Sequence, residues 1–425
     1  MKRRNFLNML GYASAGLALP LPQIARADGF EPYTGPLLVT IQANGGWDVS
    51  SFCDPKVNTE STILNNWANG MTANDLPRAG NIPYAPFANN ASLFERFSNS
   101  MLVINGVDMQ TNAHGTGRTH TWSGRTARGY PSLTALFAYE KAPLLPVSYL
   151  NFGGYAETAR LIRFSRIDKV SELRRILEPN TTGSAAKLRN YFPKNDLDNI
   201  IAAQQERLAR VKSEASLLPR QKFAMESYYE ARPNVDALEH FASVIPADSG
   251  IESSKSLSQA QMAVLGFKAG VTCAADVELG GFDTHTNHDA LHEASLSSVS
   301  ETIEYLWDYA EAQGVADRLT VIVGSDFART PYYNNSEGKN HWPIGSYLIM
   351  KKNASWANRV IGATDEYQNA LPLNPQTLKA DGGAGSAILH PMHIHSALRN
   401  ELGLSTNGFQ FSNLEEFDFF NPNLG

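Results

Sequence analysis

The sequence predicts an α/β protein in which a mostly parallel β-sheet lies between layers of helices. Three observations support this prediction. Hydrophobic residues make up 43% of the chain, which is enough for a packed core. Several short runs are apolar on both faces, as in strands covered by helices on each side. Longer helical patterns alternate with these runs, and that order is typical of a parallel sheet.

Five short apolar runs predict the strands of the sheet, and most of them end at glycine or polar residues. They lie at residues 36–41, 101–106, 275–279, 319–324 and 346–350. Between and after these runs, the spacing of apolar residues predicts three helices. They lie at about 256–274, 288–314 and 391–402.

Residues 155–250 are more polar and predict a helical insertion over about 180–250. Apolar residues recur every three or four positions from Leu197 to Leu218, which predicts one apolar stripe on a long helix. We expect this stripe to pack on the body of the protein, and the alternative is a protruding arm or a dimer contact. The α/β domain is expected to span 33–405, and residues 406–425 are expected to form a C-terminal tail.

Residues 1–27 have the layout of an export signal. Basic residues 2–4 precede an apolar run, and Ala25-Arg26-Ala27 forms a cleavage pattern of small residues. The paired arginines resemble a twin-arginine (Tat) signal. We therefore expect the Tat translocase as a partner during export, and a periplasmic or secreted mature protein. The alternative, an N-terminal anchor helix, is disfavoured because Pro20 and Pro22 interrupt the run.

Composition and charge exclude several classes of function. The net charge is −6, so there is no basic excess to bind a nucleic-acid backbone. No run reaches the roughly 20 apolar residues that a membrane span needs, so we expect no span in the mature chain. The two cysteines, Cys53 and Cys273, cannot form a disulfide scaffold or a cysteine zinc site. The sequence leaves open whether they pair with each other.

Polar side chains collect after four of the predicted strands. The carboxyl ends of parallel strands meet at one edge, where open α/β sheets bind ligands. The histidines and aspartates in these loops suit a divalent metal such as Zn²⁺, Mn²⁺, Mg²⁺ or Ca²⁺. The candidate metal ligands are Asp48, Asp283, His285, His288, Asp326 and His341.

Structural roles remain open for several residues of these loops. Asp48 could cap a following helix, and Asp283 could cap a turn. Arg329 is either a buried salt-bridge partner or a clamp for an anion. Four further histidines are not expected to be ligands. His292 should lie on a helix surface, and His390, His393 and His395 open a helix.

At these motifs the sequence resembles the DUF1501 family, whose members are exported bacterial proteins of unknown function. That family is grouped with the alkaline phosphatase and sulfatase superfamily. The resemblance therefore implies an alkaline phosphatase-like fold with a metal site at the strand ends, and it extends over about 35–405. It rests on the Arg-Arg-Asn-Phe-Leu start and on residues 45–48, 280–285, 325–331 and 340–342.

The resemblance also implies an activity, the metal-dependent hydrolysis of phosphate or sulfate esters. Superfamily phosphatases place a histidine directly after the aspartate of the fourth strand, but here Phe327 follows Asp326. Asn287 likewise stands where a superfamily histidine follows Asp283, with His285 and His288 alongside. One ion, or none, is therefore expected rather than two. The alternative is a degenerate member that binds a ligand or a partner without turnover.

The nucleophile implied by the resemblance is a hydroxyl in the loop after the second strand. Thr116 and Ser123 are the candidates at its two ends, with Thr119 and Thr121 between them. Arg329 or His114 would hold the anionic oxygens of the ester. The segment at Cys53 begins like the cysteine motif of sulfatases but lacks its arginine, so we do not expect that chemistry.

Overall fold

The computed structural model describes residues 30–166, 180–182, 189–213, 218, 221, 235–246, 252–405 and 408–425. The predicted signal at 1–27 and much of the predicted insertion lie outside these residues.

The centre of the protein is an eight-stranded sheet. Its strands are β1 (Leu37–Ala43), β2 (Met101–Asp108), β3 (Tyr149–Asn151), β4 (Ser165–Arg166), β5 (Ala274–Leu279), β6 (Leu319–Ser325), β7 (Ile344–Lys351) and β8 (Arg359–Ile361). Their order in the sheet is β8-β2-β7-β6-β1-β5-β3-β4. Strand β7 runs antiparallel to both of its neighbours, and every other neighbouring pair is parallel. The predicted α/β class with a mostly parallel sheet is confirmed.

Helices cover the sheet. They are α1 (Asn90–Phe97), α2 (His114–Ser123), α3 (Leu133–Lys141), α4 (Lys194–Ser213), α5 (Val235–Val244), α6 (Lys255–Lys268), α7 (His288–Ala312) and α8 (Pro391–Glu401). The helix α7 packs against α1 and α6, whereas α2 packs against α8. Leu136 of α3 and Leu398 of α8 share a buried core with Leu38 of β1. Since side chains alternate along a strand, Leu37 and Val39 point to the opposite face.

The segment after β2 differs from its prediction, because the expected loop is the helix α2. Gly115 and Gly117 lower the helix propensity of this segment and hide the helix in the sequence. Gly117 is needed for packing, since a Cβ at this position would lie 2.3 Å from the backbone oxygen of Asp326. The helix therefore lies directly against the chain that leaves β6.

The insertion and the tail are described in part. A two-stranded ribbon (Thr181–Thr182 with Arg189–Asn190), α4 and α5 lie within the insertion. The stripe predicted from Leu197 to Leu218 falls partly in α4 and partly outside the described residues. The described part of the tail, 408–425, packs on the body, with Phe417 and Phe419 buried in the core. Among the helices that the structure describes, none has both the length and the apolar character to cross a membrane.

Strand direction brings five chain segments to one edge of the sheet. Strands β1, β2, β5 and β6 run the same way, so their carboxyl ends share that edge. Because β7 runs the opposite way, the segment before it, which contains His341, begins at the same edge. The polar residues at these ends form the site described next.

Candidate metal centre

Four side chains converge at this edge, and we call them the histidine cluster: His114, Asp283, His285 and His341. The Nε2 atoms of His285 and His341 lie 3.0 and 3.4 Å from Asp283 Oδ1. His114 Nε2 lies 3.6 Å from Asp283 Oδ2. The two atoms His285 Nε2 and His341 Nε2 are 3.0 Å apart. Three aromatic nitrogens and one carboxylate therefore face a common centre.

The other ring nitrogen of each histidine, Nδ1, faces an oxygen acceptor. A ring that donates from Nδ1 keeps its lone pair on Nε2, and this arrangement orients metal-binding histidines in proteins. The acceptors thus leave a lone pair on each Nε2. Those of His114 and His341 face Asp283, and that of His285 also accepts from Arg329 Nη1 (3.4 Å). The acceptors are Asp326 Oδ2 for His114 (2.6 Å), Asn112 O for His341 (2.7 Å) and Asn340 Oδ1 for His285 (3.3 Å).

Four separations within the cluster are close to those between the ligands of a tetrahedral divalent metal. With bonds of about 2.0–2.1 Å to Zn²⁺, neighbouring ligand atoms are about 3.3–3.4 Å apart. The four separations given above range from 3.0 to 3.6 Å. The ligand atoms of His114, Asp283 and His341 all lie within 4.8 Å of one another. Imidazole donors favour Zn²⁺ over Mg²⁺ or Ca²⁺, and the carboxylate of Asp283 also suits Mn²⁺.

Asp326 connects His114 of the cluster to the backbone of Gly45 and Gly46. Its Oδ1 accepts hydrogen bonds from the backbone N–H groups of Gly45 (3.0 Å) and Gly46 (2.6 Å), while Oδ2 faces His114. Gly46 has a φ of 82°, and a Cβ there would lie 2.6 Å from the ring of Phe327. The hydrogen bond to Asp326 raises the pKa of His114 above its usual value, although burial opposes this. Asp326 is therefore a positioning residue, not a member of the cluster.

Arg329 is a buried salt-bridge partner, so the alternative of an anion clamp has no support. Its guanidinium is fully buried and donates in five directions, which accounts for all five of its N–H groups. Burial alone would raise the pKa of Asp283, but the hydrogen bond and charge of Arg329 lower it below its usual value. The partners are Gly46 O (2.9 Å), Lys339 O (3.1 Å), His285 Nε2 (3.4 Å), Asp283 Oδ1 (2.6 Å) and Gly45 O.

The structure does not bring Asp48 and His288 into the histidine cluster, contrary to expectation. Asp48 is fully buried and caps the 3-10 turn Val49–Ser51. Its Oδ2 lies 2.7 Å from Lys339 Nζ and 3.0 Å from His288 Nε2. Burial alone would raise the pKa of Asp48, but Lys339 and His288 lower it well below its usual value. The ammonium of Lys339 already neutralises this carboxylate.

His292 is buried, so the prediction of a surface histidine is wrong. Its Nε2 accepts the backbone N–H of Asp48 (2.7 Å), and its Nδ1 lies 3.1 Å from Thr284 Oγ1. It also stacks on His288 at 4.5 Å. Burial lowers the pKa of both rings, and both stay neutral at pH 7. Their spacing of four residues on α7 was the available signal, because it places both on one helix face.

The hydroxyl groups of α2 have structural roles. Three of them donate to backbone carbonyls: Thr119 to Gly115 (2.9 Å), Thr121 to Ser325 (2.9 Å) and Ser123 to Thr119 (2.6 Å). All three residues are buried. Thr116 lies two positions after His114 on the helix, so the two side chains point to different sides. None of the four hydroxyls is placed as a nucleophile beside the cluster.

Phe327 closes the cluster on its inner side. Its buried ring lies 4.7 Å from the ring of His114 and 4.5 Å from that of His341. An apolar side chain therefore packs against two of the three imidazoles.

The two cysteines lie elsewhere, and Cys53 and Cys273 are both buried and free.

One protein-family model matches part of the chain. Residues 208–400 match the family model described as a protein of unknown function, DUF1501. The resemblance to DUF1501 is confirmed. The DUF1501 match includes Asp283, His285 and His341 of the cluster, whereas His114 lies before it. No curated protein matches the chain.

Three solved structures show how far the fold likeness extends. The phosphonate monoester hydrolase of Agrobacterium radiobacter is 13% identical, with a TM-score of 0.37 over 87% of this chain and 74% of that one. The lipoteichoic acid synthase LtaP from Listeria monocytogenes is 8% identical, with a TM-score of 0.38 over 92% and 76%. A 2-O GAG sulfatase is 8% identical, with a TM-score of 0.34 over 88% and 72%. The chemistry of this protein has to be argued from its own residues.

Proposed function

We propose that this protein is a metal-dependent hydrolase of phosphate or sulfate esters that uses one divalent ion. The observation that carries the proposal is the convergence of three Nε2 atoms on one carboxylate, each of them 3.0–3.6 Å from an oxygen of Asp283. His114, Asp283, His285 and His341 would hold the ion. A divalent metal in such a site polarises an ester oxygen and lowers the pKa of water.

The charge of the site favours an anionic substrate only when a metal is bound. Asp283 and Asp326 carry negative charge and Arg329 carries positive charge, so the three residues have a net charge of −1. A divalent ion converts this to +1, which attracts the anionic ester. The metal-free form repels the same ester. Substrate binding should therefore depend on metal binding.

The residues around the cluster assign the remaining roles. Arg329 fixes the orientation of Asp283, and Asp326 fixes the orientation of His114. The attacking group is water, because the hydroxyls of Thr119, Thr121 and Ser123 are buried and bonded to backbone carbonyls. Ser123 is therefore not proposed as the nucleophile. Thr116 is not proposed either, because it lies two residues after His114 on α2 and the two side chains do not share a helix face. Arg329 is not proposed to contact the ester.

Elemental analysis followed by an activity series tests the proposal. We expect about one Zn²⁺ or Mn²⁺ per chain in the purified protein, and turnover on aryl phosphates or aryl sulfates. Asp283→Ala should lose both metal and turnover. His390→Gln is the matched control, since His390 lies outside the cluster and faces the carbonyl of Asp108. Turnover that persists in metal-free Asp283→Ala would contradict the metal mechanism.

One observation favours a second function, ligand or partner binding without turnover. Arg329 already neutralises Asp283 at 2.6 Å, so the cluster has a cation beside its carboxylate without any metal. If the parent protein contains no metal and hydrolyses no ester when divalent ions are supplied, this second function is the better one.

We also propose that the protein is exported to the periplasm, or secreted, through the Tat pathway. The support is the order of basic residues 2–4, an apolar run and Ala25-Arg26-Ala27. Replacing Arg3 and Arg4 with lysine should leave precursor in the cytoplasm. Unchanged export of that variant would remove the Tat pathway from the proposal.

A further inference from the structure

A cavity of about 250 Å³ lies beside α2, on the flank of the histidine cluster. Gly115 and Arg118 on its wall lie one and four residues after His114 along the same helix. The cavity therefore begins next to a ligand of the cluster. It is lined by Gly115, Arg118, Thr119, Arg128, Gly129, Gly154, Tyr155 and Glu157.

Two arginines give this cavity its character. Within the described part of the chain, neither Arg118 nor Arg128 has a hydrogen bond, an ion pair or an aromatic ring as partner. Arg118 is half-buried and Arg128 is exposed. The guanidinium of Arg128 reaches back to α2, where its Nη2 lies 3.9 Å from the Cβ position of Gly115. Unpaired guanidinium groups on a shared cavity wall are suited to bind a planar or tetrahedral anion.

The remaining wall is held in place by its own hydrogen bonds. The N–H of Tyr155 donates to Gln42 Oε1 (2.7 Å), and its hydroxyl donates to the carbonyl of Tyr130 (2.6 Å). Gly154 has a φ of 73°, and a Cβ there would lie 2.1 Å from Gln42 Oε1. These contacts fix the loop that faces the two arginines. The cavity is thus a formed feature of the fold.

The charge balance of the cavity is opposite to that of the whole chain. Glu157 is the one acidic residue in the lining, and its Oε1 accepts the backbone N–H groups of Thr158 (3.0 Å) and Ala159 (2.8 Å). Two arginines against one carboxylate leave a local excess of positive charge in a protein of net charge −6. Such a local excess attracts anions.

We propose that this cavity binds a second anionic group of the ester substrate. The substrate class is then an ester that carries another phosphate, sulfate or carboxylate at a distance from the bond that is cleaved. The inference rests on the proposed function, because that function defines the first anionic group. Arg118 and Arg128 serve as specificity residues, and they contact the second group without contacting the reacting atoms.

Calorimetric titration with two matched series of probes tests the inference. One series is alkane-α,ω-bisphosphonates of increasing chain length, and the other is alkylphosphonates of the same lengths; neither contains an ester bond that the protein could hydrolyse. The parent protein should bind one bisphosphonate about tenfold or more tightly than its matched monophosphonate, as expected for a charge-assisted contact. The double variant Arg118→Gln/Arg128→Gln should lose this preference and keep the affinity for monophosphonates.

Lys379→Gln is the control, since it removes one positive charge at an exposed position outside the cavity lining. It should keep the preference for the bisphosphonate. The inference is overturned if the parent shows no preference at any length or binds neither series. It is also overturned if the double variant loses monophosphonate affinity to the same extent. Because binding is measured without turnover, an inactive protein that shows the preference would refute the proposed hydrolysis and leave the cavity assignment standing.

Discussion

Replacing Asp326 with asparagine tests how the protein sets the tautomer of His114. In the parent, His114 Nδ1 lies 2.6 Å from Asp326 Oδ2, while Oδ1 accepts from Gly45 and Gly46. The side-chain oxygen of asparagine can still accept the hydrogen bonds from Gly45 and Gly46, but its NH₂ group then faces His114 Nδ1 as a donor. The ring must then accept at Nδ1 and carry its proton on Nε2. That proton occupies the position from which His114 would bind a metal.

The expected cost follows from the loss of a hydrogen-bonded partner behind a metal ligand. Such changes lower metal affinity by about 10–100-fold, which corresponds to about 1.4–2.7 kcal/mol. We expect the upper end, because Asp326 is fully buried and charged, and because the tautomer is reversed. Competition for Zn²⁺ against a chromophoric chelator at neutral pH measures the change.

Asp276→Asn is the matched control for this measurement. Asp276 is also a fully buried carboxylate in the sheet, and it accepts hydrogen bonds from Thr40 (2.6 Å) and Thr134 (2.6 Å), outside the histidine cluster. It should keep the parent Zn²⁺ affinity even if it lowers stability. Equal Zn²⁺ affinities for Asp326→Asn and the parent would refute the tautomer argument. An equal loss in both variants would mean that general destabilisation is the cause.

Three further predictions concern stability and the thiols. Lys339→Met leaves Asp48 buried without its cation, so the free energy of unfolding in urea should fall by about 3–5 kcal/mol; an unchanged value would contradict this. Burial lowers the pKa of His395 to about 3. Below about pH 6.5 the imidazole of His395 is therefore protonated in the unfolded chain but stays neutral in the native state. The free energy of unfolding falls by about 1.4 kcal/mol per pH unit as the pH drops below about 6.5. His395→Gln should reduce the slope by this amount, while His288 and His292, whose pKa values are also lowered, keep their own contribution. An identical slope in the variant would contradict this. Cys53 and Cys273 should not react with Ellman's reagent in the native protein and should both react after unfolding without reductant; fewer reactive thiols would indicate a disulfide.

The central strands were predictable because their chemistry is local. Residues of β1 and β6 are buried along their whole length, and this appears in the sequence as runs that are apolar at most positions. The edge strands β4 and β8, and β3 next to β4, span only two or three residues, too few for a pattern. The helix α2 was missed for a different reason, because two glycines that its packing requires also weaken its helical signal.

The candidate site was predictable only in part. Asp283, His285 and His341 follow or precede strands, and strand direction is enough to bring them to one edge. The fate of Asp48 depends on Lys339, which lies 291 residues further along the chain. No local pattern reveals that a lysine will neutralise this aspartate. The resemblance likewise led us to expect Arg329 or His114 at the ester oxygens, whereas the Nε2 of His114 faces Asp283.

The long sequence separations between the histidine cluster and the residues that support it have a consequence for folding. His114 contacts Asp326 across 212 residues, and Gly46 contacts Asp326 across 280. Contacts this distant form late, because long loops must close first. A metal that binds only the assembled cluster would stabilise the native state by mass action, by about 4 kcal/mol at a thousandfold excess over its dissociation constant. Metal supply would then govern the yield and proteolytic survival of this protein before any substrate is bound.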